Sequence, residues 1–175
     1  LLSPDGSGIL LCRPAFGGTK DTADSGKKLL ILIRPKSLNF AKRFEMKDIQ
    51  TREDIELLVN RFYDKVGRDA TIGFFFNDIA KVNWSHHLPK MYAFWETLLF
   101  GQISYKGNPM AAHFPINAQV PMEKRHFDHW LELWTETVNE NFTGITADMA
   151  IYKARNISGL MSFKMETATK LENTK

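Results

Sequence analysis

Residues 46 to 175 are predicted to be all-α, and three observations carry that expectation. Apolar residues recur at helical spacing in several long runs; Gly67, Gly73, Gly101 and Gly144 interrupt those runs; and no segment alternates apolar and polar residues as a half-buried strand would. At least four substantial helices and one short one follow, with no internal repeat.

The first helix opens at Thr51. Thr51 and Asp54 fit a capping box whose side-chain partner is one methylene shorter than the preferred Glu. Ile55, Leu58, Val59, Phe62, Tyr63 and Val66 then fall on one helical face. Beyond Gly67 and Gly73, Phe74, Phe75 and Phe76 make a short apolar knot. The second helix carries Trp84, His87, Leu88, Met91, Phe94, Trp95, Leu98 and Leu99 and ends at Gly101. Pro89 inside it means that the helix starts near Ser85 or bends, because proline removes a donor and crowds the preceding turn.

Gly107-Asn108-Pro109 is a turn, and Asn108 and Pro109 suit the N-cap and first position of a short helix reaching about His113. Pro115 and Pro121 bracket an irregular link. A long helix follows, with Phe127, Trp130, Leu131, Trp134, Val138 and Phe142 on one stripe. After Gly144, the last helix carries Ile145, Met149, Tyr152, Ile157, Leu160 and Met161.

Residues 1 to 45 read differently, with Gly/Ser/Asp/Thr-rich patches and no helical period. Met46 reads as a natural start, with the leader an over-extended gene start or cloning sequence; the plainer alternative is a disordered extension. Neither gives it a function. The expected organisation is a leader over 1–45, a helical domain over 46–168 and a polar tail over 169–175.

Composition narrows the class. The lone thiol, Cys12, cannot form an internal disulfide, so nothing suggests an oxidising compartment. The best apolar run, Leu29 to Ile33, falls far short of the ~18 residues a membrane helix needs. No secretory signal opens the chain, and a cytoplasmic protein without membrane contact is expected. The pI near 9.0 invites a nucleic-acid reading. However, residues 1 to 45 carry a net charge of +4 and the remainder −1, so the helical part has no basic cluster to track phosphates. Thirteen Phe, four Trp and four Tyr suit either a well-packed core or a pocket for a flat apolar ligand.

Acid/base and nucleophile templates are absent: no GxSxG, no P-loop, no HExxH. The candidates that remain are histidines and polar aromatics. His126 and His129, three apart, have no acidic partner and read as a solvated face. His87 lies on the stripe between Trp84 and Met91, while His86 points off it. His113 ends a short helix behind small residues that leave room for something bulky. Tyr63 and Trp130 sit on buried stripes, where the hydroxyl and indole N–H need acceptors: a backbone carbonyl each, or one shared acceptor inside a pocket.

The stretches TREDIELLVNRFYDKV (51–66), Ile-Gly…Phe-Asn-Asp (72–78), NWSHHLPKMYAFWETLLFG (83–101), YKGNPMAAH (105–113) and HFDHWLELWTETVNENF (126–142) together resemble a group III (P-type) truncated haemoglobin. The resemblance spans about residues 48 to 165 and implies the shortened globin fold, a two-over-two helical sandwich around haem b. Position by position, it makes His113 the axial iron ligand and Tyr63, His87 and Trp130 the distal ligand-stabilising residues. Phe76, Met91 and Phe94 would contact the haem faces. It implies reversible binding of O2 and of NO and CO. The alternative is a haem enzyme on the same scaffold, an NO dioxygenase or peroxidase-like protein needing an external reductase. From another class, a haem-free helical binding module would use the same aromatics as core.

Overall fold

The computed structural model describes residues 46–172 and 174, so the leader lies outside the described residues. Among the described residues five α-helices follow one another: α1 Arg52–Val66, α2 Trp84–Phe100, α3 Pro109–Gln119, α4 Lys124–Asn141 and α5 Ile145–Glu172. A π-helical turn, Phe75–Ile79, stands between α1 and α2. Among the described residues there is no strand, and no helix is long and apolar enough to cross a membrane.

α1 forms where its pattern says. The Thr51 hydroxyl accepts from the Asp54 amide at 3.3 Å, and the Asp54 carboxylate accepts from the Thr51 amide at 3.1 Å. The Lys47 ammonium also reaches Asp54 at 2.6 Å. Ile55, Leu58, Val59, Phe62 and Val66 are fully buried against α2 and α4. Phe62 meets Trp134 edge-on at 5.0 Å, and Trp134 stacks on Trp95 of α2 at 4.0 Å, so three helices share one aromatic junction.

α2 starts at Trp84 with Asn83 before it and keeps Pro89 within its second turn. It ends at Gly101, whose φ of +71° is the left-handed cap that glycine adopts without strain.

Two expectations are corrected here. α3 does not stop near His113: it continues through Pro115 to Gln119, leaving His113 in mid-helix. Proline forfeits one donor, yet the rest of the helical hydrogen bonding carries across it, and the Val120 amide still caps on the Ile116 carbonyl at 3.0 Å.

The inward face of α5 is also different from the apolar residues that mark it in sequence. Ile145, Met149, Tyr152 and Leu160 are exposed, whereas Ala147, Ala150, Ala154, Ser158, Met161, Ser162 and Met165 are buried. Small residues let α5 approach α4 closely, and the Trp134 indole donates to the Ala150 carbonyl at 3.3 Å.

The N-terminus of α5 is held from far away in sequence. The Asp48 carboxylate accepts from the amides of Thr146 (3.0 Å) and Ala147 (2.9 Å). Gly144, at φ +141°, makes room for it, because a Cβ there would stand 2.4 Å from the Asp48 Cγ. The result is the two-over-two arrangement: α1 and α2 pack together, α4 and α5 pack together, and α3 leans on α5.

Candidate functional site

A cavity of about 700 Å³ lies among these helices. Tyr63 reaches it from α1, Phe76 from the π-helical turn, and His87, Met91 and Phe94 from α2. His113 comes from α3 and Trp130 from α4, so all seven residues singled out in the sequence line one space. His86 is exposed and does not line it, and His87 does.

The His113 ring is oriented by its own helix. Its Nδ1 lies 2.6 Å from the Pro109 carbonyl oxygen one turn earlier. A carbonyl only accepts, so Nδ1 carries the proton and Nε2 keeps a free lone pair. Burial pushes the imidazole below its ordinary pKa, against the Pro109 hydrogen bond that raises it. The ring is therefore neutral near pH 7, the form that ligates metals.

Tyr63 is gripped by aromatic edges. Phe62, Phe76, Trp84 and His87 surround its ring at centroid distances of 5.0, 5.9, 5.5 and 5.1 Å. Burial raises the phenol well above its usual pKa, so it stays a protonated donor. Neither the Tyr63 hydroxyl nor the Trp130 indole N–H has a protein acceptor among the described residues. The simpler expectation of a backbone carbonyl for each is not met. The His87 Nε2 is likewise buried without a partner, and desolvation, with His113 and Lys90 nearby, lowers its pKa. An unpaired buried polar atom costs about 1–3 kcal/mol. Of the three groups only His87 Nε2 is fully buried; the partnerless Tyr63 hydroxyl and Trp130 N–H belong to residues that line the same cavity.

The rest of the wall is largely apolar, with Ile72, Phe75, Phe127, Ile157 and Met161 in it. Lys90, Lys106 and Tyr105 add polar groups. None of these was singled out in the sequence, because Tyr105 and Lys106 lie in a loop without period and Lys90 reads as an exposed helix position.

His126 is a further correction: it is only 7 % exposed, not part of a solvated face. Its Nδ1 accepts from the Glu123 amide at 3.0 Å, and its ring meets Phe75 edge-on at 5.0 Å. It is the third residue of α4 in a reciprocal capping arrangement with Glu123. The Glu-x-x-His spacing could have revealed it. His129 is half-buried and paired with Asp69 at 2.7 Å.

The family model of bacterial-like globins matches residues 46–162. The chain is 28% identical over 110 residues to a group 3 truncated hemoglobin of Campylobacter jejuni, covering 61% of this chain and 84% of that protein. The crystal structure of the group III truncated hemoglobin from Campylobacter jejuni superposes with a TM-score of 0.61 at 27% identity, over 69% of this chain and 95% of that one.

Proposed function

Since this chain belongs to the bacterial-like globin family and has the truncated globin fold, we propose that it is a haem protein that reversibly binds O2, with NO and CO as further ligands. The observation that carries this reading is the trio of unpaired polar groups, Tyr63 hydroxyl, Trp130 N–H and His87 Nε2, at a cavity that also holds the His113 imidazole.

The cavity residues fit haem b. The volume of about 700 Å³ lies within the ~300–1,000 Å³ usual for cofactor sites, and the walls are mostly apolar. His113 Nε2 would be the axial ligand, with Nδ1 fixed by Pro109 so that the ring cannot turn its lone pair away. Phe76, Met91 and Phe94 would lie against the porphyrin, and Lys90 and Lys106 would face its anionic edge. Haem held there by His113 would supply an iron able to bind a diatomic gas.

The chain's own groups then decide which gas stays. The Trp130 N–H can only donate and the protonated Tyr63 hydroxyl has a proton to donate, so they favour a guest that accepts hydrogen bonds, O2 over the less polar CO. Neutral His87 adds a third contact or limits access. The globin domain is assigned to residues 46–168, and the location to the cytoplasm. Sustained turnover of NO would require an external reductase.

The test is the optical spectrum of protein purified with haem. A Soret band is expected, and His113→Ala should lose haem or the five-coordinate ferrous spectrum. An unchanged His113→Ala spectrum refutes the ligand assignment, and a protein that takes up no haem refutes the reading as a whole.

A further inference from the structure

α3 is held by partial apolar packing, chiefly of Met110 and Ile116. It spans 11 residues, includes Pro109 and Pro115, and buries only one residue, Asn117. Phe114, its largest side chain, is 40% exposed. Short helices draw their stability from a buried apolar face, and here that face is only partly buried, with Met110 and Ile116 against the core. Pro115 also has no amide hydrogen to give the Ala111 carbonyl one turn earlier, removing one rung of the helix.

The Asn117 side chain adds to that partial grip. Its Nδ2 donates to the Met165 carbonyl at 3.2 Å and to Thr169 Oγ1 at 3.0 Å. Its Oδ1 accepts from the Met122 amide at 2.8 Å. One amide thus joins α3 to the last turns of α5 and to the link that opens α4. Asn117 is 3% exposed, so these bonds are made away from water and are not exchanged for solvent at little cost. It also stands four residues after His113, one turn along the same face of the helix.

We propose that Asn117 is a positioning residue for His113. By fixing the rotation and height of α3 against α5, it sets where His113 Nε2 stands in the cavity. The inference rests on His113 as the axial ligand. It goes further by assigning the control of that ligand to an amide outside the cavity lining, with His113 Nδ1 held by Pro109 inside the helix and the helix held by Asn117 from outside.

The experiment compares wild type, Asn117→Ala, Asn117→Asp, His113→Ala and Asp48→Ala. Asp48 caps α5 away from the cavity and supplies a destabilised control whose site is untouched. The iron–histidine stretching band is read by resonance Raman on the ferrous haem-loaded proteins, and amide hydrogen exchange across α3 on the haem-free ones. Asn117→Ala should shift or split the band, release haem about ten- to a hundredfold faster, and speed α3 exchange. Asp48→Ala should leave the band in place.

An Asn117→Ala protein with a wild-type band and wild-type α3 exchange overturns the proposal, as does one whose band moves no more than that of Asp48→Ala. If Asn117→Ala does not fold, Asn117→Asp carries the test on the same criteria, because it keeps the acceptor for Met122 while replacing the donor to α5 with an oxygen that faces the Met165 carbonyl. A His113→Ala protein that retains the band overturns the axial-ligand reading, and the proposal falls with it. Loss of the band in His113→Ala alongside an unmoved Asn117→Ala overturns the proposal alone.

Discussion

Tyr63→Phe separates a binding role from a structural one. The aromatic ring is held by four neighbours at 5.0 to 5.9 Å, and phenylalanine keeps every one of those contacts. Only the hydroxyl is removed, and it has no protein acceptor among the described residues, so no partner is orphaned. The haem-free protein should therefore change in stability by less than about 0.5 kcal/mol. O2 should behave otherwise. A hydrogen bond to a partly negative guest in a dry site contributes about 1–3 kcal/mol. At about 1.4 kcal/mol per decade, O2 should leave about ten- to a hundredfold faster.

CO, the weaker acceptor, should be affected by less than about threefold. The Trp130 N–H remains in the Tyr63→Phe protein and bounds the loss. If both donors serve one guest, Tyr63→Phe and Trp130→Phe will not be additive. Stopped-flow displacement of O2 by CO measures the rate, and urea unfolding measures the stability. An O2 rate within about twofold of wild type would refute the donor role. A stability loss above about 1 kcal/mol would show instead that the hydroxyl bonds to protein.

Asp48→Ala should cost about 1–3 kcal/mol in urea unfolding near pH 7, since it removes a charged cap from α5. Burial raises the Asp48 carboxyl, but the amides of Thr146, Ala147 and Ile49 together hold its pKa below the ordinary value. Its stabilisation is thus present above the unfolded value and fades as pH falls through the folded one; a gap from wild type that persists at pH well below that range would refute this origin. The His129 ring is raised by its hydrogen bond to Asp69, with the opposite pH dependence. Its contribution, of about 1 kcal/mol, should be whole below the unfolded value of about 6.5 and vanish as pH rises through the folded one, read as the difference between wild type and His129→Gln. Ala154→Leu should cost about 1–3 kcal/mol by overpacking, while Leu160→Ser on the exposed side changes stability by less than about 0.5 kcal/mol in the same assay.

α1 and α4 were legible because bulky apolar side chains mark the buried faces of amphipathic helices. Ile55, Leu58, Val59 and Phe62 in one, and Trp134 and Val138 in the other, are fully buried. The reasoning that located them misleads for α5, where close approach selects Ala150 and Ala154 and leaves Tyr152 and Leu160 outside. Local rules also ended α3 too early, since proline lowers helical preference without forbidding a helix that the following residues and α5 sustain. The π-helical turn at Phe75 has no period to betray it. For the site, helical spacing pointed Tyr63, His87 and Trp130 inward, whereas His113 was only suggestive until its GNPMAAH context was set beside the other stretches. Asn117 acts through side-chain hydrogen bonds to Met165, Thr169 and Met122 and carries no periodic signal, whereas His126 is betrayed only by its Glu-x-x-His spacing at the helix start.

The cap that Asp48 places on α5 has a consequence for synthesis. Its partners, Thr146 and Ala147, lie nearly a hundred residues downstream, and the Thr143 amide bonds back to the Lys47 carbonyl over a similar span. A ribosome delivers the N-terminal side first, so Asp48 emerges long before there is a helix for it to close. Until α5 is released, the opening segment can at best make its local box with Thr51 and Asp54. The completing step of folding is then a late event of high sequence separation. Nascent chains arrested before residue 147 should present an open N-terminal edge to chaperones and proteases, and the same chains extended through α5 should not.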